Sequence, residues 1–137
     1  MTYNLNNLCK TAADAMQNAY APYSGYKVGA ALLCADGSVY TGCNIENASY
    51  SATNCAERTA FFKAVSEGKY NFIAIAVCGG KGGVIEDSPF PPCGICRQVM
   101  REFCNADFKI HMVTKNDIKT YTLDELLPYG FGPEHIK

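Results

Sequence analysis

The chain has 137 residues, of which 48% are hydrophobic, and its 12 Lys and Arg against 13 Asp and Glu give a formal net charge of −1. This composition excludes a disordered chain, because disorder requires few apolar residues and a high net charge. It also argues against a nucleic-acid reader, since such proteins concentrate lysine and arginine on one face. No run is long enough to span a membrane. We therefore expect residues 1–137 to form a single domain that binds a small molecule, with no nucleic acid or membrane as partner.

The first half of the chain predicts a helix followed by a β-hairpin. Residues 4–20 place apolar side chains on one helical face, and Pro22 would end that helix. Residues 26–33 are a nearly continuous apolar run, and an Asp-Gly turn signal joins them to a return strand over residues 39–43. Residues 44–54 are polar and are expected to form a loop.

The second half predicts helices that alternate with strands. A helix runs from Cys55 to Gly68, a buried strand covers residues 72–77, and another helix begins near Cys93. The remaining predicted elements are a loop over residues 79–92, strands over 109–114 and 118–122, and a one-turn helix that opens with a Thr122–Glu125 capping box and ends at Pro128. This order predicts a three-layer α/β/α fold with a mixed, mainly five-stranded sheet and helices on both faces.

Three cysteines and one glutamate are predicted to meet between two helix N-termini. Cys55 and Cys93 stand at the starts of the two longer helices of the second half, Cys96 lies one turn further on, and Glu57 follows Cys55. Thiolates bind zinc, and a helix N-terminus stabilises negative charge. We predict one Zn²⁺ per chain, bound by the three cysteines, with a fourth position open as in catalytic sites. Asn54 and Glu57 also have the spacing of an ordinary capping box.

Two other interpretations of these cysteines remain open. A Cys-x-x-Cys pair in an α/β chain also occurs in thiol–disulfide oxidoreductases, which would use Cys93 and Cys96. A noncatalytic zinc module would instead take a fourth protein ligand, such as Cys78 or Cys104.

The order Cys55-x-Glu57 and then Pro-Cys93-x-x-Cys96 resembles the zinc-dependent deaminases of cytosine and adenine. Nearly the whole chain is similar to the cytidine deaminase family, and within it to the small homotetrameric three-cysteine type. The segments that carry this resemblance are residues 21–24, 28–33, 42–48, 55–60, 63–68, 92–98 and 125–128. The resemblance implies a cytidine deaminase-like fold and zinc-dependent hydrolytic deamination of cytidine and deoxycytidine to uridine and deoxyuridine, with release of ammonia, in pyrimidine salvage.

The resemblance also implies roles for individual residues. Glu57 would carry protons between water, the base and the leaving amino group. Asn44 and Glu46 would bind the ribose hydroxyls, which favours a nucleoside over a nucleotide and over a nucleoside antibiotic such as blasticidin S. The backbone of Ala56 would contact the pyrimidine O2.

Two aromatic residues complete the expected substrate site. The family usually has phenylalanine near the base at the position of Tyr26, and the tyrosine keeps the flat face but adds a hydroxyl that needs a partner or solvent. Phe131 matches a C-terminal aromatic residue that helps to close the site of another subunit, so the resemblance implies a homotetramer.

Charge and location give the last expectations. Three thiolates leave a Zn²⁺ site with a net negative charge, and Arg58 and Arg97, each close to a ligand cysteine, are expected to donate hydrogen bonds to sulfur. The N-terminal residues are polar and lack the apolar run of a signal peptide, so we expect a cytoplasmic protein with reduced cysteines.

Overall fold

The computed structural model describes residues 2–137. Its helices and strands are, in chain order, α1 (Leu5–Met16), β1 (Tyr26–Cys34), β2 (Val39–Cys43), α2 (Ala56–Ser66), β3 (Phe72–Lys81), α3 (Gly94–Phe103), β4 (Lys109–Val113), β5 (Ile118–Thr122) and α4 (Leu123–Leu126). Two 3-10 turns, Tyr50–Ala52 and Pro133–His135, lie before α2 and near the C-terminus.

The five strands form one mixed sheet in the order β2-β1-β3-β4-β5. β3 and β4 are parallel, and the other neighbouring pairs are antiparallel. The parallel pair is joined through α3, because parallel strands need a crossover connection that is usually a helix. The predicted five-stranded mixed sheet is confirmed.

Helices cover both faces of the sheet, as predicted. Alternate residues of β1 point to opposite sides, since the side-chain period of a strand is two. Ala31 and Leu33 pack with α1, whereas Ala30 and Leu32 pack in the core that α2 shares with Met100 of α3. β1 is therefore buried on both faces, which explains why its sequence is almost continuously apolar.

A glycine fixes the position of the N-terminus of α2 against the sheet. A Cβ atom on Gly42 of β2 would stand 2.2 Å from the carbonyl oxygen of Ala56 and 2.6 Å from the amide nitrogen of Ala60. Only glycine permits this approach, because real Cβ atoms do not come that near to backbone atoms. The first turn of α2, which carries Cys55 and Glu57, is thus held directly on β2.

Two predicted boundaries need correction. α1 ends at Met16 rather than at residue 20, because Tyr20 is drawn into a bridge with Ile45: its amide donates to the carbonyl of Asn44, and its carbonyl accepts from the amide of Glu46. β3 continues to Lys81, beyond the predicted end at residue 77, because the start of β1 pairs with it.

Candidate active site

Three thiols converge at the N-termini of α2 and α3. Cys55 is the N-cap of α2, Cys93 is the N-cap of α3, and Cys96 lies in the first turn of α3. The Sγ atoms of Cys55 and Cys93 are 3.7 Å apart, and those of Cys93 and Cys96 are 3.6 Å apart. All three sulfurs lie within 4.8 Å of one another, and no other group of three potential ligands this close is found within residues 2–137.

These distances fit a tetrahedral zinc ion. With zinc–sulfur bonds of about 2.3 Å, the sulfurs of a tetrahedral site should stand ~3.8 Å apart. The observed separations of 3.6 and 3.7 Å are close to that value without any movement of the backbone. Three thiolates of this kind leave one coordination position for a further ligand.

The surroundings of Cys55 favour the loss of its thiol proton. A hydrogen bond from the Cys96 thiol, followed by those from Arg58 and Cys93, lowers the pKa of Cys55 to about 5. The pKa of Cys96 is raised, first by its hydrogen bond to Cys55 and then by burial. The thiolate form is therefore favoured at Cys55 and the proton is retained at Cys96, from which a bound metal would displace it.

The two arginines behave differently. Nη2 of Arg58 donates to the sulfur of Cys55 at 3.2 Å, in agreement with the expected contact. Arg97 was expected to donate to a ligand sulfur, but it donates to backbone carbonyls instead. Its Nε donates to the carbonyl of Pro92 at 2.8 Å, and its Nη1 donates to that of Leu126 at 2.7 Å. The carbonyl of Leu126 has no helical partner at the end of α4, so it accepts a hydrogen bond from this guanidinium.

Glu57 is a buried acid beside the cluster. Its side chain is only 4% exposed, in the first turn of α2, and burial raises its pKa to about 7, with the charge of Cys55 adding to the effect. Its carboxyl makes no capping box with Asn54, since Cys55 is the N-cap and Nδ2 of Asn54 donates instead to Thr59. The ordinary capping interpretation of this pair is therefore wrong.

A cavity of about 190 Å³ opens beside Glu57 and the thiols. The predicted residues that line it are Tyr26, Asn44, Cys55, Ala56, Glu57 and Cys93. Sequence reasoning gave no role to Ser24, Thr53 or Phe90, which line it as well. Ser24 stands in one of the segments that carry the family resemblance, whereas Phe90 lies in a loop whose composition gives no local signal.

Asn44 lines this cavity, whereas Glu46, two residues further along the chain, does not. The buried amide of Asn44 accepts from the amide of Val28 and donates to the carbonyl of Tyr26, both at 2.8 Å. Each end of the amide keeps one further hydrogen-bonding capacity. Asn44 therefore shapes the start of β1 and retains free capacity at the cavity.

Glu46 lines a second hollow, of about 270 Å³, which shares Ser24 and Thr53 with the first. Its carboxylate accepts hydrogen bonds from the amides of Tyr23 and Ser24 and from the hydroxyl of Ser24. The hydroxyl contact is the main reason that the pKa of Glu46 is lowered, so this side chain is anionic at neutral pH. The two hollows thus form one elongated surface with an anion at one end.

Phe131 does not line the cavity of its own chain. Its ring is 56% exposed and stacks on His135 with a centroid separation of 5.2 Å, while its carbonyl accepts from Gln98. Phe131 is therefore presented outward, away from the thiol cluster of the same chain.

Both thiols named as fourth ligands of a noncatalytic zinc module lie away from the cluster. Cys78 packs in the core under α1, on the opposite face of the sheet from α2 and α3. Cys104 follows the last residue of α3, at the other end of the helix from Cys93. Neither thiol can supply a fourth ligand to the cluster. All eight cysteines lie in the described part of the chain, and each is a free thiol.

Comparison with known proteins identifies the family. The family described as the cytidine and deoxycytidylate deaminase zinc-binding region matches residues 2–112. The chain belongs to this deaminase family. It is 54% identical over 130 residues to a cytidine deaminase of Halalkalibacterium halodurans, covering 94% of this chain and 95% of the relative. It is 48% identical over 134 residues to that of Sporosarcina psychrophila, covering 97% and 95%.

Solved structures of the family have the same fold. The crystal structure of cytidine deaminase from Burkholderia pseudomallei matches with a TM-score of 0.87 and 43% identity, over 94% of this chain and 100% of that chain. The corresponding structure from Mycobacterium tuberculosis matches with a TM-score of 0.81 and 39% identity, over 96% and 100%. These matches confirm the cytidine deaminase-like α/β fold. Since the matched family region is a zinc-binding one and the thiol geometry fits the ion, zinc is the cofactor.

Within residues 2–137, the helices are too short or too polar for any of them to cross a membrane.

Proposed function

We propose that this chain is a cytidine deaminase, which hydrolyses cytidine and deoxycytidine to uridine and deoxyuridine with release of ammonia. One observation carries the proposal beyond family membership. A buried carboxyl group, Glu57, opens into the same cavity as the thiols of Cys55 and Cys93. An acid and a group of metal-binding thiols at one cavity are the two features that hydrolysis of an aromatic amine requires.

Cys55, Cys93 and Cys96 are proposed to hold one zinc ion per chain, with Arg58 offsetting part of the thiolate charge. When bound, zinc supplies Lewis-acid activation of a water molecule at neutral pH. The N-termini of α2 and α3 offset further negative charge, because each presents the positive end of its helix dipole to the cluster.

Glu57 is proposed as the proton carrier. Its carboxylate accepts a proton from the attacking water and delivers it to N3 of the base, which makes C4 electrophilic. A second transfer through the same carboxyl group takes the proton of the hydroxyl that is now on C4 and places it on the amino group, so that the C4–N bond breaks and ammonia leaves. Burial and a pKa near neutrality suit a group that must both accept and donate protons at pH 7.

Asn44, Glu46 and the backbone of Ala56 are proposed to orient the nucleoside. The free capacity of the Asn44 amide and the carboxylate of Glu46 suit the hydroxyls of a ribose, while the backbone of Ala56 contacts the pyrimidine O2. The anionic Glu46 repels a 5′-phosphate, which favours nucleosides over nucleotides. The ring of Tyr26, which lines the cavity and is partly exposed, is proposed to lie along the base.

The assembly is proposed to be a homotetramer in which Phe131 closes the site of a neighbouring subunit. Its outward presentation and the open cavity of the single chain support this proposal. We also propose that residues 1–137 are one domain, since all five strands belong to one sheet. A cytoplasmic location is proposed because a site built from free thiols needs a reducing compartment.

The test is turnover of cytidine by the purified, zinc-loaded protein. We expect uridine and ammonia to form in equal amounts, followed by the change in pyrimidine absorbance and by an independent ammonia assay. Zinc-loaded protein that forms neither product would contradict the proposal. If the protein reduces a disulfide substrate and does not deaminate cytidine, Cys93 and Cys96 act as the redox pair of a thiol–disulfide oxidoreductase.

A further inference from the structure

We propose that Phe90 binds the pyrimidine base, and that the loop before α3, residues 82–93, exists to present its ring to the active-site cavity. This inference rests on the proposed deaminase function and extends it to a residue with no assigned role. Phe90 and Pro91 line the cavity together with Glu57 and Cys93.

Phe90 and Tyr26 form two aromatic walls of the cavity. Their ring centroids are 6.1 Å apart, and the ring planes are inclined at 48° rather than stacked flat on each other. The remaining apolar lining near them includes Val28. The same lining also includes thiols, a carboxyl group and amide side chains. A flat heterocycle with polar edges and apolar faces matches this combination of groups, and a pyrimidine base is such a heterocycle.

The loop that carries Phe90 is anchored to the domain at several points. The chain folds tightly back on β3, since a Cβ atom on Gly80 would stand 1.7 Å from the carbonyl oxygen of Val84. Glu86 accepts from the amide of Lys81 through its side chain and from that of Lys115 through its carbonyl, at 3.3 and 2.9 Å. These contacts hold the loop in place before any substrate arrives, so the ring of Phe90 is preorganised for binding.

The ring of Phe90 packs against Gly79, a glycine of β3. A Cβ atom on Gly79 would stand 2.9 Å from both Cγ and Cδ1 of Phe90 and 3.1 Å from Cγ2 of Val28. The ring therefore occupies the space that a side chain at position 79 would need. Gly79 itself does not line the cavity, so a substitution there reaches the substrate site by displacing its two neighbours, the ring of Phe90 first and the methyl group of Val28 less severely.

Binding of uridine, the proposed product, measures this role without turnover. We expect Phe90→Ala to weaken the calorimetric affinity for uridine about tenfold, since contact between an aromatic side chain and a base contributes at this level. KM for cytidine should rise by a similar factor while kcat changes little, and zinc content should stay at one per chain. Phe90→Tyr, which keeps the flat ring, should remain within about threefold of the wild type.

Val84→Ala is the matched control on the same loop, because Val84 is 69% exposed and does not line the cavity. Its uridine affinity should equal that of the wild type. Gly79→Ala should weaken binding by pushing the ring, whereas the same change in the Phe90→Ala background should have little further effect. This non-additivity separates a displaced ring from general damage to the fold.

Phe90→Ala protein that keeps its zinc and binds uridine as tightly as the wild type would overturn this inference while leaving the deaminase function intact. Wild-type protein that binds neither cytidine nor uridine would overturn the proposed function and this inference together.

Discussion

At the scale of single residues, the acid of the site should be separable from its metal. Glu57→Gln keeps the size of the side chain but cannot carry a proton, so we expect kcat for cytidine to fall by roughly 10²-fold or more. Zinc content and thermal stability should change little, because the ligands are untouched. The control is Glu102→Gln, the same substitution on the exposed face of α3. Near wild-type turnover in the zinc-loaded Glu57→Gln protein would remove Glu57 from the chemistry.

Glu46 should control discrimination against phosphate. Glu46→Gln removes a negative charge and also weakens the contact with ribose, so we expect kcat/KM for cytidine to fall by about tenfold or more. The value for CMP should fall less, because the repulsion of its phosphate disappears. The measured quantity is the ratio of kcat/KM for cytidine to that for CMP, which should decrease in the variant. An unchanged ratio would mean that Glu46 does not discriminate against a 5′-phosphate.

The residues of the zinc site could be predicted because the sequence pattern that indicates them is local. Cys55, Cys93 and Cys96 stand at helix starts that the sequence marks, and Glu57 follows within one turn. Arg97 was misplaced because its partner, the carbonyl of Leu126, lies far along the chain. No local sequence pattern indicates that the end of α4 packs against Arg97.

At the scale of elements, the position of α2 on β2 should control the integrity of the metal site. Gly42→Ala forces its new Cβ against the carbonyl of Ala56, so α2 must shift. We expect a loss of about 1–3 kcal/mol in the free energy of unfolding, measured by urea denaturation, together with weaker retention of zinc against a chelator.

Gly94→Ala is the matched control for this prediction. A Cβ atom on Gly94 at the start of α3 would meet no heavy atom within 4 Å. Alanine is also favoured over glycine in a helix, so stability should be unchanged or slightly higher. Equal stability of the Gly42→Ala and wild-type proteins would show that α2 does not depend on this close approach.

Elements with a strong internal pattern were predicted well, and those shaped by distant partners were not. The two hydrophobic strands β1 and β3 were recognisable, but the extra length of β3 depends on pairing with the start of β1. The end of α1 is set by the bridge between Tyr20 and Ile45, which joins segments far apart in sequence. The loop that carries Phe90 has the Gly and Pro content of any surface loop, and only its anchoring contacts reveal its place.

At the scale of the whole molecule, the proposed tetramer predicts complementation between subunits. Glu57→Gln and Phe131→Ala proteins should each be impaired alone. After dissociation and joint reassembly, a subunit with intact Glu57 can receive an intact Phe131 from a neighbour, so activity should reappear. The measurement is cytidine turnover by hybrid tetramers of verified composition. If hybrids of verified composition do not regain activity, Phe131 contributes to the active site of its own chain or to none.

The most direct test of the account is a zinc titration of metal-free protein with cytidine turnover as the readout. The structure brings together one cluster of three thiols per chain, so turnover should rise linearly with added zinc and level off at one equivalent. The Cys93→Ser protein should neither retain zinc nor gain activity in the same titration. Full turnover in metal-free protein, or stoichiometric zinc in the Cys93→Ser variant, would contradict the central claim that these three cysteines hold the catalytic metal.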